Sequence, residues 1–238
     1  MSHMIEQLCQ LVDASRIVDL SYPFHPDMPA WPTQPRFQSS VYADQTYGDG
    51  SYHCAIHFSE HTGTHVDAPR HFIVGGATVD QLDVRQLMGR GVLVDAEGIA
   101  PCEAYTLDKL LAFEAEHGPI QAGDIVLFRF GWDLRYGLRP AGGGYLQDWP
   151  GLSVECAEYL RDKGVRAVGC DTLALDPFTS ETYPCHSVLL GSGILILENL
   201  YSLSRLPVFS YVIGLPLKFS GGSGSPLRII ALCEEKGT

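Results

Sequence analysis

The chain has 238 residues, 45% of them hydrophobic and 18% charged, enough apolar material for a sizeable core in one domain spanning residues 1–238. Its formal net charge is −12 and no run of Lys or Arg interrupts that balance, so neither nucleic acid nor an anionic membrane surface is expected as a partner. The longest apolar stretch, Ser187 to Leu197, is broken by Gly191, Ser192 and Gly193 and falls short of the ~20 residues that a membrane span needs.

At the start of the chain no basic region leads into a long apolar run, and Ser2-His3-Met4 reads as the remnant of an added tag, so no secretion signal is expected. Ile5, Leu8, Leu11 and Val12 have helical spacing, and Arg16 to Phe24 then reads as a strand. Pro26, Pro29, Pro32 and Pro35, with Trp31 among them, forbid regular hydrogen-bonded structure and predict a loop. Tyr52, Cys54, Ile56 and Phe58 alternate with polar or small residues, the period of a strand with one buried face.

Downstream, strands are predicted over Gly91 to Asp95, Asp124 to Phe130, Val165 to Cys170, Ile194 to Leu197, Phe209 to Leu217 and Pro226 to Leu232. Helices are predicted between Thr106 and Gly118 and between Ser153 and Gly164, each with a capping residue before it and a glycine stop after it, and a shorter one over Asp80 to Met88. Strands and helices mix without strict βαβ alternation, which points to a mixed-sheet α/β fold. Gly142-Gly143-Gly144 and Ser220 to Ser225 read as surface loops.

Seven cysteines, none in a CxxC pair, suit free thiols in a reducing, cytoplasmic compartment. Cys185 sits beside His186, but adjacent side chains usually point apart, so packing is preferred to a nucleophilic role. The nucleotide-binding GxGxxG and the GxSxG elbow are both absent.

The chemistry concentrates in one segment, His61-Thr-Gly-Thr-His65-Val-Asp67-Ala-Pro-Arg-His71. Imidazole and carboxylate suit Zn²⁺, Mn²⁺ or Fe²⁺, and a set of two His and one carboxylate leaves positions open for water and substrate. The HxxxH spacing lacks the Glu of a zincin helix, and Thr62, Gly63 and Thr64 are poor helix formers. In a straight strand, residues four apart stand ~13 Å apart, so a bend at Gly63 is required to bring His61 and His65 together. Asp67, two residues on, then projects with His65, and Pro69 ends the strand and turns His71 back toward the site. Glu198 closes an apolar strand, where a carboxylate without a partner would be costly to bury.

The segment resembles the HxGTHxDxPxH signature of the cyclase superfamily, which includes bacterial kynurenine formamidase and isatin hydrolase. The resemblance extends through Ile17-Val-Asp-Leu-Ser21, Met28-Pro-Ala-Trp-Pro32, Phe128-Arg-Phe-Gly-Trp132, Val168-Gly-Cys-Asp-Thr172 and Leu175-Asp-Pro177. It implies a swivelling β/β/α domain forming a homodimer or homotetramer, metal ligands at His61, His65 and Asp67, and a second metal position completed by His186 and Glu198 and bridged by Asp67. His71 is implied as the proton carrier. Trp31 reads equally as an aromatic wall for a small planar substrate and as a buried loop anchor, and Arg129 reads as a surface salt bridge in preference to a carboxylate clamp.

The implied activity is metal-dependent hydrolysis of an amide C–N bond in a small aromatic substrate, of the arylformamidase kind, by metal-activated water with one or two Zn²⁺ or Mn²⁺ ions. Trp31-Pro-Thr-Gln34 departs from the formamidase WPGD pattern, and the regions Tyr42 to Gly50, Arg139 to Trp149 and Lys218 to Ser225 are longer. A cyclic amide or lactone hydrolase of the isatin hydrolase kind therefore stands beside the first reading, with a non-catalytic metal-binding domain as the third.

Overall fold

The computed structural model describes residues 3–235, so Ser2 of the suspected tag remnant and the last three residues lie outside it. In chain order the elements are α1 (His3–Asp13), β1 (Arg16–Asp19), β2 (Gln38–Ala43), β3 (His53–His57), β4 (His65–Asp67) and β5 (Met88–Asp95). There follow β6 (Ala104–Tyr105), α2 (Leu107–His117), β7 (Ile125–Arg129), β8 (Gly151–Leu152), α3 (Val154–Lys163) and β9 (Ala167–Cys170). The chain ends with α4 (Pro184–Gly191), β10 (Leu195–Glu198), β11 (Phe209–Pro216) and β12 (Gly224–Cys233). Eight strands form one sheet in the order β1-β12-β11-β5-β7-β9-β10-β4, and a further pairing of β12 with β4 closes it into a barrel. In this sheet the strands β5, β7, β9 and β10 run parallel and the remaining pairs antiparallel, so the fold is the expected mixed α/β.

The parallel strands are apolar on both faces because both faces are covered. Ile125, Leu127, Ala167, Leu195 and Leu197 point into the barrel with Val66, Val212 and Ile229, while Val126, Phe128, Val168, Cys170 and Ile196 face outward. The outward set packs against Leu110 of α2, Leu160 of α3 and Leu189 of α4. This alternation fixes which side chains reach the helical side of the barrel.

Several expectations change. The strand expected over Arg16 to Phe24 stops at Asp19, and Asp80 to Met88 becomes two 3₁₀ turns, Val79–Gln81 and Val84–Leu87. The alternating segment around Ile56 is a strand, but it pairs only with β2 in a separate ribbon, and Ile56 is 58% exposed. Alternation reports two unlike faces; it cannot supply a cover for the apolar one. The Gly142–Gly144 stretch lies in a 3₁₀ helix, Ala141–Leu146, with Gly143 and Gly144 at the surface as expected, while Tyr145 behind them is fully buried with its hydroxyl 3.0 Å from Asp171 O and 2.9 Å from Asn199 Oδ1. Helix α3 is capped by Ser153 and stopped by Gly164 in the left-handed region as expected, whereas Thr106 precedes α2 without a side-chain cap bond.

Candidate metal centre

Strand β4 lies between β10 and the first residues of β12, with Glu198 opposite His65 and Ile196 opposite Asp67. Val66 points into the barrel, so His65 and Asp67 must point outward, onto the face that Glu198 shares. Gly63 makes the bend that the spacing requires: its φ is +62°, and an added Cβ would fall 2.8 Å from Met28 Cε and 2.9 Å from Phe24 Cε1. Beyond β4, Pro69 opens a 3₁₀ turn ending at His71, which stacks on His61 with ring centroids 3.9 Å apart.

From the other side comes α4, absent from the sequence expectations because its apolar residues were absorbed into the stretch running to Leu197. Pro184 occupies its first turn, and Asp176 accepts hydrogen bonds from Cys185 N at 2.9 Å and His186 N at 3.2 Å. The helix thereby drives His186 onto the outer face of β4 and β10.

Two triads result, His61 with His65 and Asp67, and Asp67 with His186 and Glu198, each with donor atoms within 4.8 Å of one another. Asp67 belongs to both. Its Oδ1 is 2.7 Å from His61 Nδ1 and 3.4 Å from His65 Nε2, and its Oδ2 is 3.5 Å from His186 Nε2. Glu198 stands 3.5 Å from His65 Nε2 and 3.1 Å from His186 Nε2, the partnership that its burial demands. Convergence of two buried carboxylates and three imidazoles fits a divalent cation of the borderline, N/O-liganded kind.

The electrostatics fit the same reading. Burial pushes the Asp67 carboxyl up, but hydrogen bonds from His186, His61 and His65 outweigh it and hold the group well below the usual carboxylate range. Burial pushes His65 and His186 down, yet the carboxylates around them raise both above the ordinary imidazole value, His186 the more strongly through Asp176, Asp67 and Glu198. His71 behaves oppositely: desolvation, with the neighbouring His61 and His186, leaves it below that value despite Asp67 and Glu198. The tautomers are also set from behind. His65 Nδ1 donates to Gly63 O at 2.7 Å and His186 Nδ1 to Asp176 Oδ2 at 2.6 Å, so each turns Nε2 toward the cluster.

A cavity of about 380 Å³ opens over the cluster. Trp31, Phe72 and Tyr183 wall it, Gln34 and Asn199 supply neutral polar groups, and among the described residues no Arg or Lys lines it. Trp31 lines this cavity and stands edge-on to Trp149 and Tyr183. Phe72, Tyr183 and Asn199 escaped the sequence reading; Gln34 and Asp176 entered it only within Trp31-Pro-Thr-Gln34 and Leu175-Asp-Pro177, without a role. Arg129 is engaged elsewhere, bound to Asp95 at 3.1 Å and Glu97 at 2.8 Å. Cys185 donates to Leu152 O, and burial pushes its thiol strongly up, which removes it as a nucleophile. His57 lies on the exposed ribbon.

The Cyclase family model matches residues 18–177. Isatin hydrolase of Roseibium aggregatum is 35% identical over 188 residues, covering 73% of this chain and 72% of its own. Kynurenine formamidase of Bacillus cytotoxicus is 30% identical over 227 residues, covering 91% and 97%. A crystal structure of an isatin hydrolase bound to the product analogue thioisatinate superposes with a TM-score of 0.90 at 28% identity, covering 99% of this chain and all of the other. With its signature segment folded into a two-triad cluster on a mixed barrel, the chain belongs to the cyclase family.

Proposed function

We propose that this protein is a metal-dependent hydrolase that opens the amide bond of a small, planar, uncharged aromatic compound, a cyclic amide of the isatin type. The observation that carries the choice is the cavity lining. The amino-acid tail of N-formylkynurenine brings a carboxylate and an ammonium, and among the described residues the cavity offers the carboxylate no Arg or Lys. A neutral bicyclic amide needs only aromatic walls and a few neutral hydrogen-bonding groups, which Trp31, Phe72, Tyr183, Gln34 and Asn199 provide.

His61, His65 and Asp67 would hold one divalent ion, and His186 and Glu198 with the shared Asp67 a second. Such ions supply, when bound, an acidified water and a polarised carbonyl. The rest falls to side chains. His71, reached by solvent at the cavity mouth and held neutral at pH 7, takes a proton and returns it to the leaving nitrogen. Trp31 and Phe72 confine the ring so that its carbonyl faces the cluster.

Residues 1–238 act as one domain, since both hydrophobic clusters are built on the same strands. We assign the protein to the cytoplasm on its free thiols. A homo-oligomer is supported by α1, which exposes Met4, Leu8 and Leu11 and buries none of its residues within the chain.

The deciding experiment compares kcat/KM for isatin and N-formylkynurenine on Zn²⁺- and Mn²⁺-loaded protein. Isatin is expected to be preferred by at least tenfold, with Trp31→Ala reducing the preference mainly through KM. A preference for N-formylkynurenine would return the arylformamidase reading.

A further inference from the structure

His61 is held differently from the other two histidines of the cluster. Its Nδ1 faces Asp67, and its Nε2 lies 2.9 Å from Ser223 Oγ. Ser223 belongs to the Gly-rich stretch before β12, and behind it stands Glu60, the residue that precedes His61. Glu60 Oε1 accepts from Ser223 Oγ at 2.5 Å and Oε2 accepts from Ser223 N at 2.9 Å.

A hydroxyl has one proton to give. With that proton donated to the Glu60 carboxylate, Ser223 Oγ can only accept from His61, so His61 presents an N–H at Nε2. Nδ1 faces Asp67 Oδ1 at 2.7 Å, the side on which a cation held with Asp67 would take the place of this hydrogen bond. The stretch bearing Ser223 is itself fixed: Ser223 O accepts from Ala68 N and Gly222 O from Val79 N, both at 2.9 Å. A Cβ on Gly224 would lie 2.5 Å from His61 Cε1, so the imidazole rests against bare backbone. His65 and His186 present Nε2 because a carbonyl or carboxylate holds Nδ1; His61 presents Nδ1 because Ser223 holds Nε2.

We propose that Glu60 and Ser223 are positioning residues that fix the His61 tautomer and aim its Nδ1 at a cation held with His65 and Asp67. The pair serves that position alone, leaving the one completed by His186 and Glu198 untouched. This rests on the reading of His61 as a metal ligand.

The test is Zn²⁺ titration against a competing chromophoric chelator, paired with long-range ¹H–¹⁵N spectra of histidine-labelled protein. Ser223→Ala is expected to weaken one Zn²⁺ position by about 10–100-fold, the usual effect of removing a partner behind a ligating histidine, and to spare the other. In the Zn²⁺-loaded protein the His61 resonances should shift from the Nε2–H pattern toward a mixture of tautomers, and Ser223→Thr, which keeps the hydroxyl, should restore both readouts. Glu60→Ala frees the Ser223 proton and should produce the same mixed tautomer, which keeps the proposal testable if Ser223→Ala does not fold. Unchanged Zn²⁺ affinity and an unchanged tautomer in Ser223→Ala, with affinity lost in His61→Ala, would overturn this proposal and leave the metal reading standing. Wild-type affinity in His61→Ala would overturn both.

Discussion

The imidazoles of His61 and His71 are stacked, 3.9 Å between centroids and 29° between planes, so His61 opposes the gain of a proton by His71. His71 sits at the solvent end of this pair and its pKa is depressed, first by desolvation and then by the neighbouring imidazoles. His71→Ala should therefore retain its metal and lose about 10²–10⁴-fold in kcat, the range of general acid–base catalysis. The wild-type acid limb of kcat/KM should fall below the ordinary imidazole pKa of ~6.5 and vanish in the variant. Loss of metal in proportion to activity would make His71 a ligand instead.

Metal affinity should rise with pH. In the metal-free cluster, burial lowers but the carboxylates more strongly raise the pKa values of His65 and His186, so both hold protons that a cation must displace. The sign for stability follows: the raised imidazoles stabilise the metal-free fold below ~6.5, and this contribution is lost as pH rises through their folded-state values. The melting temperature of metal-free protein should thus decline above neutral pH, and the stabilisation gained on adding Zn²⁺ should grow there. Activity should vanish on metal removal and return with Zn²⁺ or Mn²⁺. A Zn²⁺ affinity independent of pH between 6 and 8 would contradict the protonation pattern.

Glu198 bonds to Leu175 N through Oε1 and faces His65 and His186. Glu198→Gln keeps an acceptor for Leu175 but removes the charge, so a protein that binds two Zn²⁺ per chain should fall to one while melting close to wild type. One ion in both proteins, still dependent on His61, His65 and Asp67, would reduce the site to a single position.

Gly224→Ala should separate folding from metal binding. The new methyl would meet His61 Cε1 at 2.5 Å and Val66 O at 2.9 Å, and relief by rotating the ring turns Nδ1 away from Asp67. The expected stability loss is about 1–3 kcal/mol, the usual scale of overpacking, alongside a pronounced loss of Zn²⁺ affinity. Wild-type affinity in a folded Gly224→Ala protein would show that the ring has room to yield.

The sequence alone determined what is local. Covalent spacing and strand alternation bring His65 and Asp67 to one face, the absence of a Cβ at Gly63 allows the bend to His61, and Pro69 turns the chain to His71 within a few residues. Mixed α/β class was legible for the same reason, because apolar runs and helix caps are short-range signals. Only the tertiary structure decided what meets across the barrel. Glu60 and Ser223 lie 163 residues apart, and a Gly/Ser-rich stretch reads as flexible until β12 is docked on β4 and its bare backbone is needed beside His61. The burial of Tyr145, the exposure of Ile56 and the capping of α4 by Asp176 share that character. Periodicity records which face of an element is apolar, whereas the neighbour that covers it is set by long-range packing, to which no local pattern corresponds.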